Sequence, residues 1–216
     1  MHAHDRTSQG IAVGLALLAG YIDALGFLSL GGYFVSFMSG NSTRSAVDLI
    51  HGASWKVALI PLGIIALFVL GVMLGRAIRH YITRTPSTSV LVFMSAALCA
   101  ATLAHEAGAG VLAVSLMAIA MGAANNIFVR EGEVTIGVTY MTGALVKLGQ
   151  RLAGYLLGEK DRAWQPYFFL WAGLVAGACL GAAAFTALNL RSLWGGALLC
   201  LVLTLTFWRR ERSATQ

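Results

Sequence analysis

Residues 35–45 read VSFMSGNSTRS and residues 138–148 read VTYMTGALVKL. Laid over one another without a gap, they pair Val35 with Val138, Ser36 with Thr139, Phe37 with Tyr140 and Met38 with Met141. Ser39 then meets Thr142, Gly40 meets Gly143, and Arg44 meets Lys147, all at an offset of 103 residues, from 35 to 138. At that offset Asp23 falls on Asn126, while GVMLG at 71–75 answers GLVAG at 173–177 one residue out of step. Several matches in one register mark an internal repeat, and each copy puts polar residues into an otherwise apolar chain.

The 216 residues are 58% hydrophobic and only 11% charged, with a mean hydropathy of +0.76. Soluble domains carry about 25% charged residues, so too few polar groups remain here to cover a water-facing surface. Lipid is the expected solvent. The formal charge of +6 does not point to nucleic acid, because the basic residues sit between apolar runs rather than along one face. Cys99, Cys179 and Cys200 lie within apolar runs at no short spacing and read as packing residues, without disulfide or metal.

A helix crossing the hydrocarbon needs about 20 mostly apolar residues. Six such runs fall at about 10–30, 55–78, 88–105, 109–129, 166–189 and 192–209. The first is read as a retained membrane helix, because its apolar run continues past any signal-peptide core. HEAGAG at 105–110 is read as a tight hairpin, and the half-polar segments 33–51 and 135–158 as re-entrant or interfacial. With both termini in the cytoplasm, 12 basic residues lie inside and only Arg44, Lys56 and Arg191 outside, a strong positive-inside bias. Trp55, Trp164, Trp194 and Trp208 fall at span ends, where interfacial aromatics belong.

The expected fold is therefore all-α, a polytopic membrane helix bundle forming one membrane domain over 1–216. Residues 10–107 form a first repeat of three spans and 108–210 a second, each with one polar broken segment. Three spans is an odd number, so the second copy must insert upside down. Such inverted repeats are common among transporters, whose sites lie at the repeat interface. The pairs Gly71/Gly75 and Gly173/Gly177, with Gly181 a turn further on, read as close-packing faces.

GYIDALGFLSLGGYFVSFMSGNS and VTYMTGALVKLGQRL resemble the two motif blocks of the bacterial YoaK family, a domain-of-unknown-function group of membrane proteins. The matching residues are Gly20 to Ala24, Phe37 to Asn41 and Tyr140 to Gly143. The resemblance spans nearly the whole chain and implies a six-helix bacterial inner-membrane protein without naming a substrate. One departure is AANNIFVREGEV, where relatives often carry a Gln-Asn pair and this chain has Asn125 and Asn126.

Asp23 is the one acid well inside an apolar run, about 20 Å along the first helix. Placing an aspartate at mid-bilayer costs about 2.5–3.5 kcal/mol, and such residues usually face the bundle interior. A purely structural hydrogen-bonding role is the alternative, and the same choice holds for Asn125 and Asn126. Ser39-Gly40-Asn41 and Thr142-Gly143 read as breaks that cap helices at about 42–51 and 143–157. Their free N–H groups would face an electron-rich substrate. Thr43 and Tyr140 complete the candidate site. Arg44 and Lys147 read either as charge partners of Asp23 or a substrate, or as side chains snorkelling to an interface.

No nucleophile–base pair, phosphate loop or metal-ligand cluster is legible, so the chain is read as a non-enzyme without cofactor or metal. The leading expectation is a small-molecule transporter of the bacterial inner membrane, working by alternating access and coupled to H⁺ or Na⁺ through Asp23. A channel with paired re-entrant half-helices is the alternative, and a scaffold or sensor subunit ranks last. Its partners are the lipid bilayer and an unidentified small molecule, with no nucleic acid; a homo-oligomer stays open.

Overall fold

The computed structural model describes residues 6–52, 54–130, 133–134, 137–159 and 164–213. Eight α-helices are found among them: α1 Arg6–Ser29, α2 Met38–Ile50, α3 Trp55–Tyr81, α4 Pro86–Glu106, α5 Gly110–Ala124, α6 Met141–Leu156, α7 Gln165–Leu188 and α8 Leu193–Ser213. A two-residue antiparallel pair, β1 Val129–Arg130 and β2 Glu133–Val134, follows α5, and a 3-10 turn at Asn189–Ser192 joins α7 to α8. The chain is thus an all-α, multi-pass membrane helix bundle. Four stretches are long and apolar enough to cross a membrane: Gln9–Ser29, Trp55–Tyr81, Pro86–Glu106 and Gln165–Arg212, the last containing both α7 and α8.

The helix α5 is apolar but has 15 residues, about 22 Å, where the sequence predicts a run to 129. It stops at Ala124 because Asn125, Asn126 and Ile127 turn tightly, donating to the carbonyls three residues back. The helices α2 and α6, of 13 and 16 residues, are shorter than the roughly 30 Å hydrocarbon core requires. The expected hairpin at 105–110 is present: the Ala109 N–H donates to the Ala104 carbonyl at 2.8 Å. Gly108 takes a φ of +80° there, a conformation that side chains with a Cβ resist.

Large side chains fill the centre, with Leu15, Leu18 and Ile22 of α1, Leu91, Met94 and Leu98 of α4 and Met117 and Met121 of α5 all buried. Apolar residues such as Ile60, Val69, Met73, Phe169, Leu180 and Leu198 point outward from α3, α7 and α8. Such a surface is stable only against lipid. At one end, Glu211 of α8 accepts from the Ser87 and Thr88 N–H groups at 3.2 Å each and satisfies the start of α4. Cys200 packs in the core beside Ser95, as expected, whereas Cys179 is exposed on α7.

Glycines set the two closest helix crossings. Where α1 meets α7, a Cβ on Gly20 would come within 2.1 Å of the Leu174 carbonyl oxygen, and one on Gly177 within 1.9 Å of that of Leu17. Where α5 meets α3, a Cβ on Gly122 would come within 2.0 Å of the Phe68 oxygen, and one on Gly71 within 2.1 Å of that of Ile119. The crossings match residue for residue when α1 is shifted by 102 onto α5 and α3 by 106 onto α7. In packing, Gly71 and Gly75 thus take the places that Gly177 and Gly181 take in the other crossing, whereas likeness of sequence pairs them with Gly173 and Gly177. By the same shift Asp23 corresponds to Asn125 rather than Asn126.

Candidate functional site

The chain unwinds after α1 and runs through Tyr33–Phe37 before α2 begins. Backbone N–H groups in such a stretch need partners, since neither helix nor sheet supplies them. Asp23 provides two: its Oδ1 accepts from the N–H groups of Val35 and Ser36, each at 2.8 Å. Hydrogen bonds to a charged acceptor offset part of the cost of placing the carboxylate in an apolar helix. Asn41 provides two more, accepting from the Phe34 N–H at 2.9 Å and donating to the Phe34 carbonyl at 2.6 Å.

The expected caps are not formed. The helices α2 and α6 begin at Met38 and Met141, behind Phe37 and Tyr140, and neither N-terminus has a side-chain cap. Ser39, Gly40, Asn41, Thr142 and Gly143 lie inside the first helical turn instead. Asn41 is fully buried and reaches backward, because its amide matches both backbone groups of one residue, Phe34. Thr43 is exposed, and its hydroxyl donates to the Ser39 carbonyl of its own helix. Gly40 leaves room for the Phe37 ring, which a Cβ would meet at 2.4 Å, while Gly143 faces open space.

Arg44 does not pair with Asp23. It lies 3.3 Å from Asp48 on the next turn and stacks over the Tyr33 ring, whose hydroxyl also donates to Asp48. Lys147 is exposed on α6. In the second break the Thr139 hydroxyl donates to Asn125 Oδ1 at 3.0 Å, and Asn125 Nδ2 donates to the Met121 carbonyl. Asn126 Nδ2 donates to the Val72 carbonyl of α3 at 3.0 Å. The Asn125 amide thus stands at the second break where the Asp23 carboxylate, with Asn41, holds the first.

The two breaks meet. Ser36, Phe37, Met38 and Ser39 face Thr139, Tyr140, Met141, Thr142 and Gly143 across a pocket of about 300 Å³, with Phe68 beside them. A larger cavity of about 640 Å³ adjoins it, sharing Ser36, Phe37, Thr139 and Met141. It extends along α1 past Gly20, Asp23, Ala24 and Phe27, and along α7 past Leu174, Ala178 and Cys179. Among the described residues, Asp23 is the single charged one in its wall. An apolar cavity with a few convergent polar groups is the usual form of a small-molecule site. Among the described residues, no three His, Cys, Asp or Glu side chains converge as metal ligands.

Of the candidates read from sequence, Asp23 lines the large cavity, and Ser39, Tyr140, Thr142 and Gly143 line the small one. Gly40, Asn41, Thr43, Arg44, Asn125, Asn126 and Lys147 line neither. The sequence reading missed Ser36 and Thr139, although they are a matched pair of the repeat. It also missed Phe27 and Phe34, which look like ordinary apolar positions until the chain folds back on itself.

The family model described as "Protein of unknown function (DUF1275)" matches residues 11–206. The UPF0700 transmembrane protein RA0705 of Rhizobium meliloti (strain 1021) is 36% identical to this chain over 204 residues, covering 92% of this chain and 86% of that protein. No solved structure matches it. These likenesses bear out the resemblance carried by the two motif blocks.

Proposed function

The chain belongs to the DUF1275 family, and on that premise we propose that it is an integral membrane small-molecule transporter working by alternating access. The observation that carries the proposal is the convergence of both chain breaks on one pair of adjoining cavities. Broken helices that meet at a repeat interface are how many transporters build a binding site within the bilayer. The 3+3 inverted repeat is supported by the matched glycine crossings of α1 with α7 and α3 with α5.

In this reading the substrate occupies the space between α1, α7 and the two breaks. The glycine crossings give each helix pair a smooth contact on which one can rock against the other. Asp23 both lines the cavity and pins Val35 and Ser36, so H⁺ or Na⁺ arriving at its carboxylate would loosen the first break. That links an ion to a change of access. The placement in the bacterial inner membrane with both termini cytoplasmic rests on the basic residues, 12 inside against 3 outside.

The test is reconstitution. A thermal-shift screen of the purified chain against a metabolite panel supplies a ligand, whose uptake into proteoliposomes is then followed with and without an ion gradient. Saturable uptake that responds to the gradient, and that Asp23→Asn uncouples, is expected. Flux that never saturates would make the protein a channel, and a stabilising ligand without any flux would end the transporter reading.

A further inference from the structure

We propose that the cavity between α1 and α7 binds lipophilic organic cations, with Asp23 as the counter-charge and Phe27, Phe34 and Phe37 as an aromatic wall. This names a substrate class for the transporter reading and rests on it.

Charge is the first ground. Among the described residues, Asp23 is the only charged one lining the cavity, and backbone N–H groups rather than a basic side chain hold it. Arg44, read from the sequence as a charge partner of Asp23, is engaged with Asp48 and Tyr33. The Ser36 hydroxyl and the Phe37 N–H also bond this carboxyl, so it is held by neutral donors alone and its charge is unmatched. A carboxylate without a cationic partner in apolar surroundings favours a cationic occupant.

The second ground is the wall itself. Phe27 and Phe34 lie with ring centroids 4.9 Å apart, and Phe34 meets Phe37 edge-on at 5.2 Å. Such ring clusters attract weakly hydrated cations through their negative faces. A divalent metal ion is a poor match. Besides Asp23, the only side-chain oxygens among the described residues of the wall are the hydroxyls of Ser36 and Thr139, and Thr139 already donates to Asn125. Hard cations such as Ca²⁺ take about six to eight oxygens. Phe27, Leu28 and Phe37 form a partly exposed apolar rim, which suits a ligand with an apolar body.

Comparison of the two halves supplies the third. The shift that matches Gly20 with Gly122 places Asn126 where the first half has Ala24. The Asn126 amide donates to the carbonyl of Val72, the counterpart of Ala178, and Ala24 and Ala178 both line the cavity. The second half therefore fills this space with an amide and carries neutral Asn125 in place of the carboxylate. It shows which single side chain closes such a site.

Equilibrium dialysis of the full chain in a neutral maltoside detergent tests the proposal, using tetraphenylphosphonium and tetraphenylborate, ions of like shape and opposite charge. Tetraphenylphosphonium is expected to bind saturably and at least about tenfold more tightly than tetraphenylborate. Asp23→Asn and Ala24→Asn should each weaken it by about tenfold or more, and the cation should slow alkylation of Cys179. If Ala24→Asn fails to fold, Asp23→Asn and Cys179 protection decide the matter. Equal affinity for the two ions, or cation binding unchanged in Asp23→Asn, overturns the proposal. Asp23-dependent binding without flux of any cation into proteoliposomes would sink the transporter reading and leave this site standing. Saturable flux of a neutral or anionic compound, with no cation binding, would do the reverse.

Discussion

Asp23 and Asn41 are both polar, both close to the first break, and differ in what they leave available. Asn41 gives both ends of its amide to the backbone of one residue, Phe34, and lines neither cavity. Asp23 gives one oxygen to two N–H groups and still lines the cavity wall. Asn41→Ala should destabilise the protein by about 1–3 kcal/mol, since it strands the partly buried N–H and C=O of Phe34. Thermal melting in detergent reads this, and Thr43→Ala, whose hydroxyl is exposed, should stay within about 0.5 kcal/mol of the parent. At Asp23 the isosteric amide keeps an acceptor oxygen, so Asp23→Asn should melt well above Asp23→Ala. Equal melting temperatures for those two would mean that the Val35 and Ser36 hydrogen bonds contribute nothing. The importance of Asp23 is legible from an acid inside an apolar run. The role of Asn41 is not, because its partner is seven residues back and a serine-rich helix start suggests a cap instead.

Among the elements, the helix crossings carry the sharpest expectations. A Cβ on Gly177 would lie 1.9 Å from the Leu17 oxygen, and backbone cannot yield as a side chain does. Gly177→Ala and Gly71→Ala should therefore force their helix pairs apart and lower the melting temperature markedly. Gly143→Ala meets nothing within 4 Å and should leave stability unchanged or raise it by about 0.4–1 kcal/mol. Indistinguishable melting of all three variants would dismiss the crossings as tight contacts. Glu211 makes a parallel case for α4, whose first turn it satisfies from another helix. Glu211→Ala should cost about 1–2 kcal/mol, the usual size of a lost helix cap. The apolar runs are legible as helices, because local hydropathy alone dictates that lipid-exposed backbone be helical. The ends of α5, α2 and α6 are not, because turns, and side chains reaching across the bundle, decide where a helix begins and stops.

For the molecule as a whole, orientation is the property most open to direct measurement. In a cysteine-depleted background, a cysteine at Ala109 in the α4–α5 hairpin should react with an impermeant maleimide in intact cells. One at Thr83, between α3 and α4, should react only after the membrane is opened. The reverse pattern would invert the proposed topology.

The sequence by itself determined that this chain lives in lipid, that it is helical, that it carries a repeated polar frame, and that Asp23 stands apart. Each of these follows from hydropathy, charge or spacing along the chain, where the physics is local. Only the tertiary structure decided that the two breaks meet, that Ser36 and Thr139 share a cavity, and that Asn126 fills in one half the space left open in the other. The reason lies in register. The repeat keeps an offset of 103 through the polar frame, but the packed helices correspond at 102 for α1 and 106 for α3. Loop lengths shift the pairing, and close backbone approach at glycine, not residue likeness, sets which turn of one helix faces which turn of the next.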